Sequence, residues 1–95
     1  MINQSDIENA VRKTVLLFNR LKTPEAIAKV VFIMPEQVTI SFSGSLCYEC
    51  GDVEKYVDDF AHDFRVFIDY VRLEAGKVRE TAHHSFEVDY RVIPR

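Results

Sequence analysis

The chain has 95 residues and a net charge of −3, and this length predicts one domain spanning residues 1–95. The acidic balance argues against nucleic acid or an anionic membrane surface as a partner, because both select a basic face. The N-terminus lacks the pattern of a signal peptide, and no apolar run approaches the roughly 18 residues of a membrane span, so the sequence predicts a cytoplasmic protein.

The first predicted element is a helix. The segment Ser5–Glu8 fits a capping box, and apolar residues then recur at helical spacing. The helix should end near Lys22, because Pro24 follows and the residue before a proline avoids the α region. Leu16 and Leu17 widen the apolar arc beyond what a helix lying on a single sheet needs.

Two strands follow, joined by a turn at Pro35. The β-branched run Val30–Met34 predicts the first strand, and a second helix running through Phe32 is the alternative, since short apolar runs are ambiguous. Alternation over Val38–Phe42 predicts a half-buried strand that ends at Gly44. The first strand is apolar on both faces, which favours coverage of part of it by another chain.

A long amphipathic helix is predicted next. Apolar residues recur at helical spacing over Val53–Val71, with Phe60 in the middle of the buried face and Gly76 as the natural C-cap. On such a helix Val66 and Leu73 would share the outward side. That arrangement favours a homodimer.

The segment Phe86–Val92 alternates apolar and polar residues and predicts the last strand, while residues 77–85 remain open between loop, helical turn and short strand. The order α-β-β-α-β predicts an α+β two-layer sandwich, with two helices packed on one face of a small three-stranded, mainly antiparallel sheet. The other face should present a row of polar residues to water: Thr39, Ser41, Ser43, Glu87, Asp89 and Arg91.

The CxxC pair formed by Cys47 and Cys50 lies in the turn before the long helix. Its spacing lets both sulfurs face one metal ion or form a reversible disulfide, and His83 or His84 could complete a zinc site. The order of strand, CxxC and helix is also that of a thioredoxin-type redox motif. The helix entry at Asp52, however, places both thiols before the first turn. Packed thiols and solvated histidines are the simpler interpretation.

Two pairs of polar residues are spaced by one turn on the long helix. Asp58 lies one turn from His62, and Asp59 lies one turn from Asp63. Such pairs can hold a divalent cation or act as acid and base. A solvated acidic face is the favoured interpretation, because His62 lies opposite the buried stripe.

The predicted elements carry no convergent set of acid, base and nucleophile, and no glycine-rich phosphate loop. The sequence therefore favours a non-enzymatic domain without a cofactor that acts by binding, either to itself or to a protein partner. The alternative is a metal-binding or thiol-redox protein centred on Cys47 and Cys50, with zinc as its metal.

Overall fold

The computed structural model describes residues 3–45, 52–82 and 84–95. Within them the chain forms, in order, α1 (Gln4–Lys22), β1 (Ile27–Ile33), β2 (Gln37–Ser43), α2 (Asp52–Phe64), β3 (Val71–Ala82) and β4 (Ser85–Pro94). The strands form one antiparallel sheet in the order β1-β2-β4-β3. The predicted α+β class is confirmed, but the prediction of three strands is wrong, because a fourth strand precedes the last one.

α1 begins and ends close to the predicted positions. Asn3 rather than Ser5 caps it, since the Asn3 side-chain oxygen accepts a hydrogen bond of 2.8 Å from the Ser5 N–H. The helix ends at Lys22 as predicted. Thr23 has extended backbone angles, as expected for the residue before Pro24.

β1 and β2 form the predicted hairpin, so the alternative of a helix through Phe32 is wrong. At the turn after β1, Met34 and Gln37 exchange main-chain hydrogen bonds of 2.8 and 3.3 Å. The register between the two strands shifts between Val30 and Phe32. A shift of this kind is a β-bulge, which bends the strand and interrupts its ladder.

α2 ends at Phe64, so the predicted continuation of this helix to Val71 is wrong. Beyond that residue the N–H groups of Arg65, Val66 and Phe67 each donate to a carbonyl three residues earlier, at 3.1 Å. Bonds of this shorter range tighten the last turns of a helix and commonly end it.

β3 occupies the residues predicted to end the helix and continues through residues 77–82, whose conformation the sequence did not decide. Val71 and Leu73 are buried while the residue between them is exposed, which is the alternation of a strand. Leu73 is only 6 % exposed, so it cannot share an outward homodimer surface with Val66. Gly76 lies within β3 rather than capping a helix. A Cβ atom there would meet the Asp89 carbonyl of β4 at 2.8 Å, so glycine permits this close approach.

Both helices cover the same face of the sheet. Phe18 of α1 and Phe60 of α2 make edge-to-face contacts with Phe42 of β2, with ring centroids 5.4 and 5.7 Å apart. Phe42 also stacks on Phe86 of β4 at 5.0 Å. The buried Tyr90 of β4 donates from its hydroxyl to an α2 carbonyl at 2.7 Å. These contacts place an aromatic cluster at the centre of the core.

Phe60 and His62 lie on opposite sides of α2 and should respond oppositely to truncation. Phe60 is fully buried against three rings, so Phe60→Ala should lower the free energy of unfolding by about 3–5 kcal/mol. His62 is exposed, so His62→Ala should change it by at most about 0.5 kcal/mol. Urea denaturation followed by circular dichroism measures both. Equal losses would contradict the assignment of the helix faces.

Candidate functional site

The predicted metal site lies mostly outside the described residues. Cys47, Cys50 and His83 fall outside them, while His84 is exposed in the turn before β4, with a φ of 64°. Within the described ranges no group of three or more His, Cys, Asp or Glu side chains is placed to hold a metal ion. The zinc and thiol-redox hypotheses therefore stay predictions.

The zinc hypothesis has a direct test in the metal content of the purified protein. It predicts near-stoichiometric zinc, a lower unfolding temperature after chelation, and loss of both effects in Cys47→Ser. A redox pair predicts metal-free protein in which one thiol titrates well below the ordinary value near 8.5. Metal-free protein with two slowly reacting thiols would exclude both chemistries.

The acidic side of α2 is partly paired with α1. Lys22 Nζ lies 2.8 Å from Asp59 Oδ2, and Asp58 and His62 are exposed. Asp63 differs, because its Oδ2 is buried and finds no hydrogen-bond partner among the described residues. Burial, followed by the negative charge of Asp59, raises the pKa of Asp63. This side of α2 is therefore a solvated face that includes one partly desolvated carboxylate, that of Asp63.

Neutralising Asp63 should stabilise the protein at neutral pH. Because folding raises its pKa, the folded state favours the protonated carboxyl, and this contribution is lost as pH rises through the folded-state pKa. Asp63→Asn should therefore raise the unfolding temperature at about pH 7 and give no gain at about pH 3, below the ordinary carboxyl pKa. The matched control Asp58→Asn, at an exposed position of the same helix, should give no comparable gain. An equal gain from Asp63→Asn at both pH values would point to packing of the amide instead of charge.

The sheet face opposite the helices carries a network of paired charges. Arg79 donates to both carboxylate oxygens of Asp89, at 2.6 and 3.1 Å, and to Glu87 at 3.0 Å. Asp89 also accepts from the Thr39 hydroxyl at 2.9 Å. The bond from Arg79, helped by the bond from Thr39, lowers the pKa of Asp89. Thr39 was predicted to face water and is instead fully buried. Both carboxylates of this network are hydrogen-bonded to Arg79, which is typical of a structural role.

A depression of about 330 Å³ lies between α1 and the segment that precedes β3. The buried Ala10 and Ile68 line it, and the exposed Tyr70 donates from its hydroxyl to Asp6 at 2.9 Å. Burial and this hydrogen bond raise the pKa of Tyr70. The bond ties the chain after α2 to the first turns of α1.

β1 forms one edge of the sheet and exposes apolar side chains. Val30 lies opposite Ile40 and shares its helix-covered face, whereas Phe32 lies opposite Thr39 on the other face. Phe32 is 41 % exposed, and Val31, at the register shift, is 45 % exposed. Among the described strands β1 pairs with β2 alone, so its outer main-chain groups face away from the sheet.

A groove of about 420 Å³ separates β1 from α1. Its described lining is apolar except for two cations and includes no acidic residue, although the whole protein has a net charge of −3. Leu16, which lines the groove, has 72 % of its surface exposed. We refer to the groove and the two exposed residues beside it as the β1 edge surface: Arg12, Val15, Leu16, Ala28, Lys29, Val30, Val31 and Phe32.

Side chains of α1 cap the outer edge of β1 at two points. The Ala28 N–H donates to Asn19 Oδ1 at 2.7 Å, and the Ala28 carbonyl accepts from Asn19 Nδ2 at 3.1 Å. Near the other end of the strand, the Gln4 amide lies 3.5 Å from the Ile33 carbonyl. Covering an edge in this way is how proteins limit unwanted strand pairing.

Comparison with known proteins finds no relative. The chain matches no model of a protein family, no curated protein and no solved structure. Neither helix in the described ranges combines the length and apolar content needed to cross a membrane.

From the sequence, the first strand was expected to be partly covered by another chain, but no residue of the β1 edge surface was named as a binding site. Two signals pointed toward it: the widened apolar arc at Leu16, and a first strand that is apolar on both faces. The capping role of Asn19 leaves no such signal, because it depends on how closely α1 lies beside β1.

Proposed function

We propose that this domain acts by binding a protein segment at the β1 edge surface, and that this segment combines apolar side chains with carboxylates. The observation that carries the proposal is an exposed apolar edge strand beside a groove whose charged lining residues, among those that the structure describes, are the basic Arg12 and Lys29. Exposed apolar patches of this kind commonly mark interaction sites, because proteins otherwise cover or charge their sheet edges.

Burial of the exposed apolar side chains would supply most of the affinity. Covering apolar surface stabilises a complex by roughly 25 cal/mol per Å², before the losses of freedom on binding. Leu16, Val31 and Phe32 together expose a band that runs from α1 over the edge of the sheet. A partner that covers this band would also fill the groove between α1 and β1.

Charge favours an acidic partner over a second copy of the chain. In a two-fold dimer the same patch meets itself, so Arg12 and Lys29 of one copy would approach those of the other. Like charges in contact oppose association, whereas complementary charges speed it and make it selective. Each exposed ion pair with a partner carboxylate adds about 0.2–1 kcal/mol.

A synthetic octapeptide of alternating glutamate and valine provides the first test. Fluorescence anisotropy at about 50 mM salt, where surface charges are weakly screened, should detect its binding, and a lysine–valine octapeptide should bind much more weakly. Lys29→Glu should weaken binding of the glutamate peptide about fivefold, which corresponds to about 1 kcal/mol. Absence of binding by the glutamate peptide, or equal binding of both peptides, would overturn the proposal.

Lys55→Glu is the matched control, because it makes the same substitution at an exposed position of α2. It should leave peptide binding nearly unchanged. Equal weakening by both variants would show that binding depends on the net charge of the protein and not on the β1 edge surface.

Sedimentation velocity tests self-association alongside. A dimer that Val31→Glu converts to a folded monomer would assign the surface to a second copy of the chain instead.

A further inference from the structure

We infer that the partner segment binds as a short added β-strand that hydrogen-bonds to the main chain of β1 at Val30, and that Asn19 stops this strand from extending over Ala28. The inference rests on the proposed function and adds the mode of binding. It commits the partner to an extended conformation, whereas the charge argument alone would also allow a helix in the groove.

The direction of the main-chain groups follows from the Asn19 cap. Ala28 directs both its N–H and its carbonyl to Asn19, which lies on α1 and not on β2. In an antiparallel strand, residues two apart direct these groups to the same edge. The register with β2 is regular from Ala28 to Val30, so the N–H and carbonyl of Val30 also point away from the sheet.

Asn19 occupies the place that a neighbouring strand would take at Ala28. Its carboxamide supplies one donor and one acceptor, as a residue of a paired strand does. An added strand could pair with Ala28 only by displacing this side chain. Within the described part of the chain, no side chain makes an equivalent pair of bonds to Val30, so the edge is open there.

The far limit of the open edge is also visible. The bond from Gln4 to the Ile33 carbonyl is long, at 3.5 Å, and contributes little. The register shift between Val30 and Phe32 interrupts the ladder on this side. An added strand therefore has one well-defined pairing position, at Val30, and is expected to be short.

Side chains of the added strand would meet useful contacts on both faces. Alternate side chains point to opposite faces, so one set enters the groove beside Leu16 and Arg12. The other set lies toward Phe32 and Lys29, whose strand partners place them on the opposite face. The groove side is mainly apolar, whereas the side chain of Lys29 lies toward the other face. A segment of alternating apolar and acidic residues fits this arrangement with its apolar side chains in the groove and its carboxylates toward Lys29.

N-methylated versions of the glutamate–valine octapeptide test the inference with the protein unchanged. In an extended peptide, all valine N–H groups point to one edge and all glutamate N–H groups to the other. Because strand addition uses one edge, methylation of one set should weaken binding at least fivefold and methylation of the other should leave it nearly unchanged. Equal effects of the two methylated peptides would overturn strand addition.

Amide hydrogen exchange supplies a readout at the predicted residue. Saturation with the unmethylated peptide should slow exchange of the Val30 amide at least tenfold, since its N–H becomes hydrogen-bonded. The Ala28 amide is already bonded to Asn19 and should change far less. Peptide binding without protection of Val30 would overturn strand addition while leaving the proposed function in place. Absence of any peptide binding would instead remove the proposed function itself.

Discussion

The packing of Phe42 between two helices is the contact on which the rest of the structure depends. Its ring meets Phe18 of α1 and Phe60 of α2 edge-to-face and stacks on Phe86 of the neighbouring strand. Aromatic pairs add about 0.5–1.5 kcal/mol each beyond the burial of their area. Because one side chain of the sheet joins both helices, they must lie side by side on one face, and the opposite face must be stabilised by other means.

The two edges of the sheet are protected in different ways. β3 carries five charged residues, Arg72, Glu74, Lys77, Arg79 and Glu80, and charged side chains on an edge strand discourage pairing with another chain. β1 carries a single charged residue, Lys29, and within the described part of the chain its outer main-chain groups are covered by Asn19 and Gln4 of α1. The resulting asymmetry leaves apolar surface, cations and an uncapped main-chain position together at one edge. The proposed docking surface rests on their convergence, more than on any one residue.

Sequence analysis predicted the elements whose signal was local. A proline ended α1, and strict alternation defined β2 and the last strand. It failed after Phe64, because Phe67, Ile68 and Val71 also fit helical spacing, while the alternation that begins at Val71 is a strand pattern. Competition between two periodicities in one apolar stretch is decided by tertiary packing. Tertiary packing also limited prediction of the candidate site. The apolar residues of α1 and β1 can be read in the sequence, but the close approach of α1 to β1 cannot.

The hydrogen bonds between Asn19 and Ala28 also bear on how the fold opens. They join the last turns of α1 to the start of β1 through main-chain groups of the strand. Local opening of either element must break them, so helix end and strand should unfold together as one cooperative unit. Fluctuations that release the strand would then fray the helix at the same moment. A single carboxamide thereby makes an edge strand of the sheet share the stability of a helix that is anchored in the core.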